Sequence, residues 1–161
     1  MAQPRPLEVT VEKVVAAAPQ VVYGLVSDVC RMPQFSPETV QVSWIGGATG
    51  PTVGARFKGK NEIGRISWST KPTVIEALPG RRFAFRVPGR SGATWTYDFA
   101  PVEGGTMVTE SMRQAAPSQW PIRVPQRRAG VTDRASHLRD GMTSTLRNLA
   151  AVAEQPRAEV R

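Results

Sequence analysis

A chain of 161 residues with 40% hydrophobic, 21% charged and 7% aromatic side chains is sized and composed for one soluble globular domain. No apolar run approaches the roughly 20 residues that a bilayer span needs, and the opening Met-Ala-Gln-Pro-Arg-Pro holds no signal-peptide or transit-peptide core, so a cytoplasmic location is expected. The single cysteine, Cys30, excludes an intramolecular disulfide and a cysteine zinc cage, while the formal charge of +8 raises the question of a nucleic-acid partner.

Residues 7–16 alternate apolar with polar for six positions and then turn apolar, which predicts a strand with one buried face. Pro19 then opens a short helix in which Val22, Leu25, Val26 and Val29 recur at helical spacing, proline being tolerated in a first turn. Pro33 and Pro37 limit residues 30–38 to a second short helical turn, and residues 39–45 alternate again until Gly46-Gly47. In the next run Arg56, Lys58 and Lys60 alternate with Phe57, Gly59 and Asn61, and Gly64 breaks it.

Residues 65–70 place Ile66, Trp68 and Thr70 on one face, and the pattern resumes over 73–78 after Pro72. Pro79-Gly80 turns the chain into 82–87, where Phe83, Phe85 and Val87 share a face. After a loop at 88–92, Trp95, Tyr97 and Phe99 alternate with Thr94, Thr96 and Asp98; Glu103-Gly104-Gly105 makes a hairpin, and residues 106–112 return. The three prolines, Gly130 and Trp120 of residues 115–130 predict a long surface loop placed to cover a pocket mouth. Val131, Ala135, Leu138, Met142, Thr145, Leu146, Leu149 and Val152 recur at three- and four-residue steps, a terminal helix with Thr132 or Asp133 as its N-cap. Residues 1–154 are expected to form the domain, and 155–161 a polar tail.

This order predicts an α+β domain: two short helices after the first strand, then an antiparallel meander, in all a curved sheet of about seven strands gripping the long terminal helix. One helix does not cover so wide a sheet, so an interior cavity is expected unless large side chains plug it. The charge is consistent with this plan. Residues 51–90 carry nine basic and two acidic groups, spaced on alternate strand positions and never in a block, which is how a strand presents its wet face. No nucleic-acid partner is expected.

Several motifs in this order carry a family resemblance: residues 11–18 running into Pro19-Gln-Val-Val-Tyr-Gly-Leu-Val-Ser-Asp28, Gly54-Ala-Arg-Phe-Lys-Gly-Lys-Asn61, Trp68-Ser-Thr70, Phe83-Ala-Phe85, Trp95-Thr-Tyr97, Gly104-Gly-Thr106 to Glu110, and Gly141-Met142 to Leu149. Together the chain resembles the START-like or Bet v 1-like superfamily, in particular the bacterial polyketide cyclase and dehydratase branch of the SRPBCC proteins. The resemblance implies a helix-grip fold with a deep cavity for hydrophobic ligands such as polyketides, lipids and other ring-bearing metabolites. The family has no shared catalytic signature, so no catalytic residue is carried over.

The inward positions supply the candidate site. Phe57, Phe83, Phe85, Trp68, Trp95 and Tyr97, with Met142 from the helix, are expected to wall a ligand cavity; plain core packing is the competing reading for each. Asn61 and Thr70 are placed to orient a ligand carbonyl, or simply to satisfy their neighbours. Glu110 points inward by alternation with Thr106 and Val108, where an unpaired carboxylate is costly. Burial raises the pKa of such a group and suits it to general acid or base work; the alternative is an arginine ion pair or a hydrogen bond to Asn61 or Tyr97. His137, the only histidine, is the other catalytic candidate, a base on the helix side, or else a half-exposed structural residue.

Cys30 is read as a buried small hydrophobe. With no phosphate loop, nucleotide fingerprint or metal-ligand cluster, no cofactor is expected. The expected partner is a hydrophobic small molecule held by a monomer or homodimer. Its function is then binding of a ring-bearing or polyketide-like compound with cofactor-free cyclisation or dehydration, or alternatively non-catalytic carriage of a lipid or secondary metabolite.

Overall fold

A computed structural model describes residues 6–89, 92–115 and 134–155. In it, β1 (Leu7–Val15) leads into α1 (Pro19–Ser27) and a 3₁₀ turn (Val29–Gln34). Next come β2 (Thr39–Ile45), β3 (Arg56–Ile63), β4 (Ile66–Thr70), β5 (Thr73–Leu78), β6 (Arg82–Arg86), β7 (Ala93–Val102) and β8 (Gly105–Gln114), and then the terminal helix α2 (Arg134–Ala153). Most of the expected loop at 115–130, together with Val131 and the expected caps Thr132 and Asp133, lies outside the described residues.

The strands form one antiparallel sheet in the order β1-β8-β7-β6-β5-β3-β2, with β4 also paired to β3. Residues 71–72 separate β4 from β5, and Pro72 has no N–H for the ladder. The two therefore read as one interrupted strand along β3. Gly59 to Ile63 pair with β4 and Arg56 pairs with Thr73 of β5, while the Pro72 carbonyl accepts from the Phe57 N–H at 3.1 Å. On that count the sheet has the expected seven strands, curled around α2 as a helix-grip fold.

Alternation decides which face of each strand is dry. Along β8, Thr106, Val108, Glu110, Met112 and Gln114 are buried on one face. Along β3, Phe57 and Gly59 are buried while Arg56, Lys58 and Lys60 are exposed, so this basic run lies on the convex, wet face. Helix α2 buries Met142, Leu146, Leu149 and Ala150 at three- and four-residue steps. Two long-range bonds tie it to the β1 edge: Arg139 donates to the Thr10 carbonyl at 3.2 Å, and Glu154 accepts from the Ala16 N–H at 2.9 Å.

The concave side is filled unevenly. At the α1 end Val22, Tyr23 and Val26 pack with Phe83, Phe99, Val108 and Leu149 into a solid core. Tyr23 stands edge-on to Phe83 at 6.4 Å and to Phe99 at 5.8 Å. Gly105 allows β8 to start against β1: at φ 143°, a Cβ there would lie 2.1 Å from the Val15 carbonyl oxygen.

Cys30 is exposed, contrary to the buried position expected of it. In the 3₁₀ turn Val29 takes the fully buried place, and the next residue in so tight a turn faces outward. No helix among the described residues is long and apolar enough to cross a membrane.

Candidate functional site

Away from the α1 end the concave face of the sheet does not close on α2, and a cavity of about 550 Å³ remains. Its aromatic wall follows from strand alternation: Phe57 of β3, Trp68 of β4, Phe85 of β6, and Trp95 and Tyr97 of β7 all reach it. The rings brace one another edge to face, Phe57 with Phe85 at 5.2 Å and with Trp44 at 5.8 Å, which fixes the wall before any ligand arrives. Met142, Leu138 and Thr145 close the helix side, and Met32 and Pro37 contribute from the segment between α1 and β2. A ring-lined space with a few polar groups suits a flat apolar molecule.

Of the residues singled out in the sequence, Phe57, Asn61, Trp68, Thr70, Phe85, Trp95, Tyr97, Glu110, His137 and Met142 all line this cavity. Phe83 does not. It shares the inward face of β6 with Phe85, but two residues along the strand it falls beneath α1, where it packs edge to face with Tyr23 and is fully buried. Alternation gives the face of a strand; the position along it that a helix occupies is a tertiary matter.

Glu110 brings a buried carboxyl to the cavity wall. It is 2% exposed, and its cross-strand neighbours are Val11 on β1 and Tyr97 on β7. The Tyr97 hydroxyl donates to Glu110 Oε1 at 2.9 Å, one of the alternatives foreseen for satisfying this carboxyl, and no arginine pairs with it among the described residues. Oε2 is buried without a partner among the described residues. Burial pushes the carboxyl up to about 8, and the Tyr97 bond only partly offsets that rise. At neutral pH the group is therefore mostly a neutral acid. Because Tyr97 donates to Oε1, that oxygen is the carbonyl-type acceptor and the acidic proton sits on Oε2. Tyr97 is itself held well above the ordinary phenol range, first by burial and then by the neighbouring carboxyl, so it stays protonated.

Across the cavity, His137 of α2 bonds through Nε2 to Glu38 Oε1 at 2.5 Å. A carboxylate only accepts, so Nε2 carries the hydrogen and the neutral ring keeps its lone pair on Nδ1. Both side chains line the cavity and are about a quarter to a third exposed. Asn61 accepts from the Thr39 hydroxyl at 2.8 Å, the neighbour-satisfying arrangement foreseen as one option for it. Sequence reasoning missed Glu38, which lies 99 residues from its partner, and Gln114, whose inward position the alternation of β8 signals four residues beyond Glu110.

A curled sheet gripping one helix, with a ring-lined interior and a buried acid, defines the class: a helix-grip domain with a ligand-sized cavity. The sequence matches the model of the family described as polyketide cyclase / dehydrase and lipid transport over residues 6–154, and the chain belongs to that family. No curated protein matches the sequence closely enough to count as a relative.

Among solved structures, the major latex-like protein 151 of Panax ginseng is similar at a TM-score of 0.71 and 15% identity, covering 94% of this chain and 99% of that one. A protein of Chromobacterium violaceum is similar at 0.70 and 16%, covering 95% and 100%. The di-domain ARO/CYC protein StfQ of the steffimycin biosynthetic pathway is similar at 0.71 and 18%; 93% of this chain covers 51% of that chain. At these identities the likeness is one of fold.

Proposed function

We propose that this protein binds a hydrophobic, ring-bearing or polyketide-like small molecule in the cavity between sheet and α2, and catalyses its cyclisation or dehydration without a cofactor. The observation that carries the reading is the buried Glu110 carboxyl on the wall of a ring-lined cavity, with Oε1 held by Tyr97 and Oε2 without a partner among the described residues. Family membership supports the substrate class, as does the likeness to an ARO/CYC protein of a biosynthetic pathway. In this reading the protein acts in the bacterial cytoplasm on a secondary metabolite.

The chemistry divides between the two sides of the cavity. His137 Nδ1 takes a proton from the carbon beside a ligand carbonyl, with Glu38 holding the ring and stabilising the imidazolium. Glu110 gives its Oε2 proton to the hydroxyl that departs from the neighbouring carbon. A carbon–carbon double bond forms, water leaves, and the two residues return to their starting states by proton exchange with solvent. In an aldol cyclisation the same pair serves: His137 generates the enolate and Glu110 protonates the carbonyl oxygen that it attacks.

A second reading, a carrier or sequestering protein, is supported by the lipid-transport half of the family description and by a cavity wall that needs no chemistry to hold an apolar ring. Native mass spectrometry and solvent extraction of the purified protein identify the co-purifying molecule. Turnover of it lost in both Glu110→Gln and His137→Ala, with binding retained, is the outcome expected of the enzyme. Turnover unchanged in both variants would remove Glu110 and His137 from the chemistry and favour the carrier. Failure to bind any apolar ring compound would end both readings.

A further inference from the structure

The last inward position of β8 is occupied by Gln114, which lines the cavity and is 2% exposed. A buried amide ordinarily has partners, yet its side-chain oxygen has none among the described residues. The register explains the vacancy. Gln114 stands between Leu7 of β1 and Ala93 of β7, neither of which offers a polar side chain, and Ala93 is small enough to leave room beside the amide. Two rungs away, Glu110 presents the other unpartnered oxygen of the same strand face. Between them lies the apolar rung of Met112 with Trp95, in which Met112 is packed away in the core and Trp95 lines the cavity. The strand rises about 3.4 Å per residue, so the two polar groups spring from backbone positions roughly 13 Å apart.

We infer that Gln114 is a second polar subsite of the cavity, which takes the hydroxyl end of a flat, mostly apolar molecule whose ketone lies against Glu110 and whose middle lies over Trp95. The inference rests on the cavity being the ligand site and adds a length and a polarity pattern to its ligand. A glutamine amide offers an acceptor and a donor, and an alcohol or phenol offers both in return, so a hydroxyl satisfies this group whichever way the amide faces. A ligand with a hydrocarbon terminus would leave it unpaired, which is the strongest form of discrimination a polar pocket exerts.

The test uses the full chain and three probes. Binding of the neutral fluorophore N-phenyl-1-naphthylamine reports the cavity. Its displacement is then measured with testosterone, a rigid four-ring molecule with a ketone at one end and a hydroxyl at the other, and with the analogue lacking that hydroxyl. The wild-type protein is expected to prefer testosterone by about tenfold, the value of one hydrogen bond. Gln114→Leu is expected to erase that preference while binding the analogue at least as well.

Without ligand, Gln114→Leu and the more conservative Gln114→Met are expected to melt at a higher temperature, because each replaces an amide whose buried oxygen lacks a partner among the described residues. Equal displacement by both steroids in wild type and variant, or fluorophore binding that neither steroid displaces, overturns the subsite and leaves the cavity reading standing. Lower melting temperatures for both variants overturn it too, since the amide then has a structural partner. Absence of binding by all three probes overturns the cavity reading and the subsite together.

Discussion

Replacing Glu110 by glutamine keeps the shape of a protonated carboxyl, including an acceptor for the Tyr97 hydroxyl, and removes its proton equilibrium. In the folded protein this carboxyl titrates near 8 against an ordinary value of 4.5, so between those limits the native state holds a proton that the unfolded chain has released. Stability then falls as pH rises: the contribution is fully present below the unfolded value and is lost as pH climbs through the folded one. At about 1.4 kcal/mol per pH unit, the interval amounts to roughly 5 kcal/mol, an upper limit because water drawn into the cavity lessens the cost of the charge. By the same arithmetic the variant is more stable than wild type at pH 7 by up to about 3 kcal/mol. Denaturant unfolding of both proteins at intervals from about pH 5 to pH 9 measures this directly. The wild-type curve is expected to slope downward and the Glu110→Gln curve to stay comparatively flat, with the gap opening as pH rises. Parallel curves would refute the reasoning, since they would mean that Glu110 is not a buried neutral acid and that its place in the proposed chemistry is lost.

Three further outcomes follow from the same geometry. Tyr97→Phe deletes the bond that partly offsets burial, so the Glu110 titration is expected to move above its present value near 8, read from the pH dependence of unfolding, with a loss of about 1–3 kcal/mol at neutral pH. Gly59→Leu places a side chain on the cavity wall, where a Cβ would meet only the Thr70 hydroxyl at 3.8 Å; fluorophore binding is expected to fall at least tenfold while circular dichroism is retained. Gly105→Ala meets the Val15 carbonyl oxygen and an unfavourable φ together, and a loss of more than about 3 kcal/mol is expected by thermal melting.

Much of this molecule is legible along the chain. The polar–apolar alternation of residues 56–61 and 93–114 assigns each side chain to the dry or the wet face, because strand geometry leaves no other choice. The hairpin at residues 103–105 sets the register that places Tyr97 opposite Glu110, so even their bond follows from local sequence. The same alternation sends the basic residues of β3 to the convex face, which is why the charge of +8 is not the guide to the site.

Where these faces meet other elements is set by packing between distant parts of the chain. Nothing near Phe83 says that α1 will lie over it and leave Phe85 to the cavity. Nothing local to the 3₁₀ turn says that Val29 and not Cys30 will turn inward. Glu38 meets His137 only because α2 passes beside the start of β2, and the Gln114 side-chain oxygen lacks a partner among the described residues because Leu7 and Ala93 flank it. Alternation and turns act between neighbours in the chain and are written there; the meeting of helix with sheet depends on all the strands at once and is written nowhere in particular.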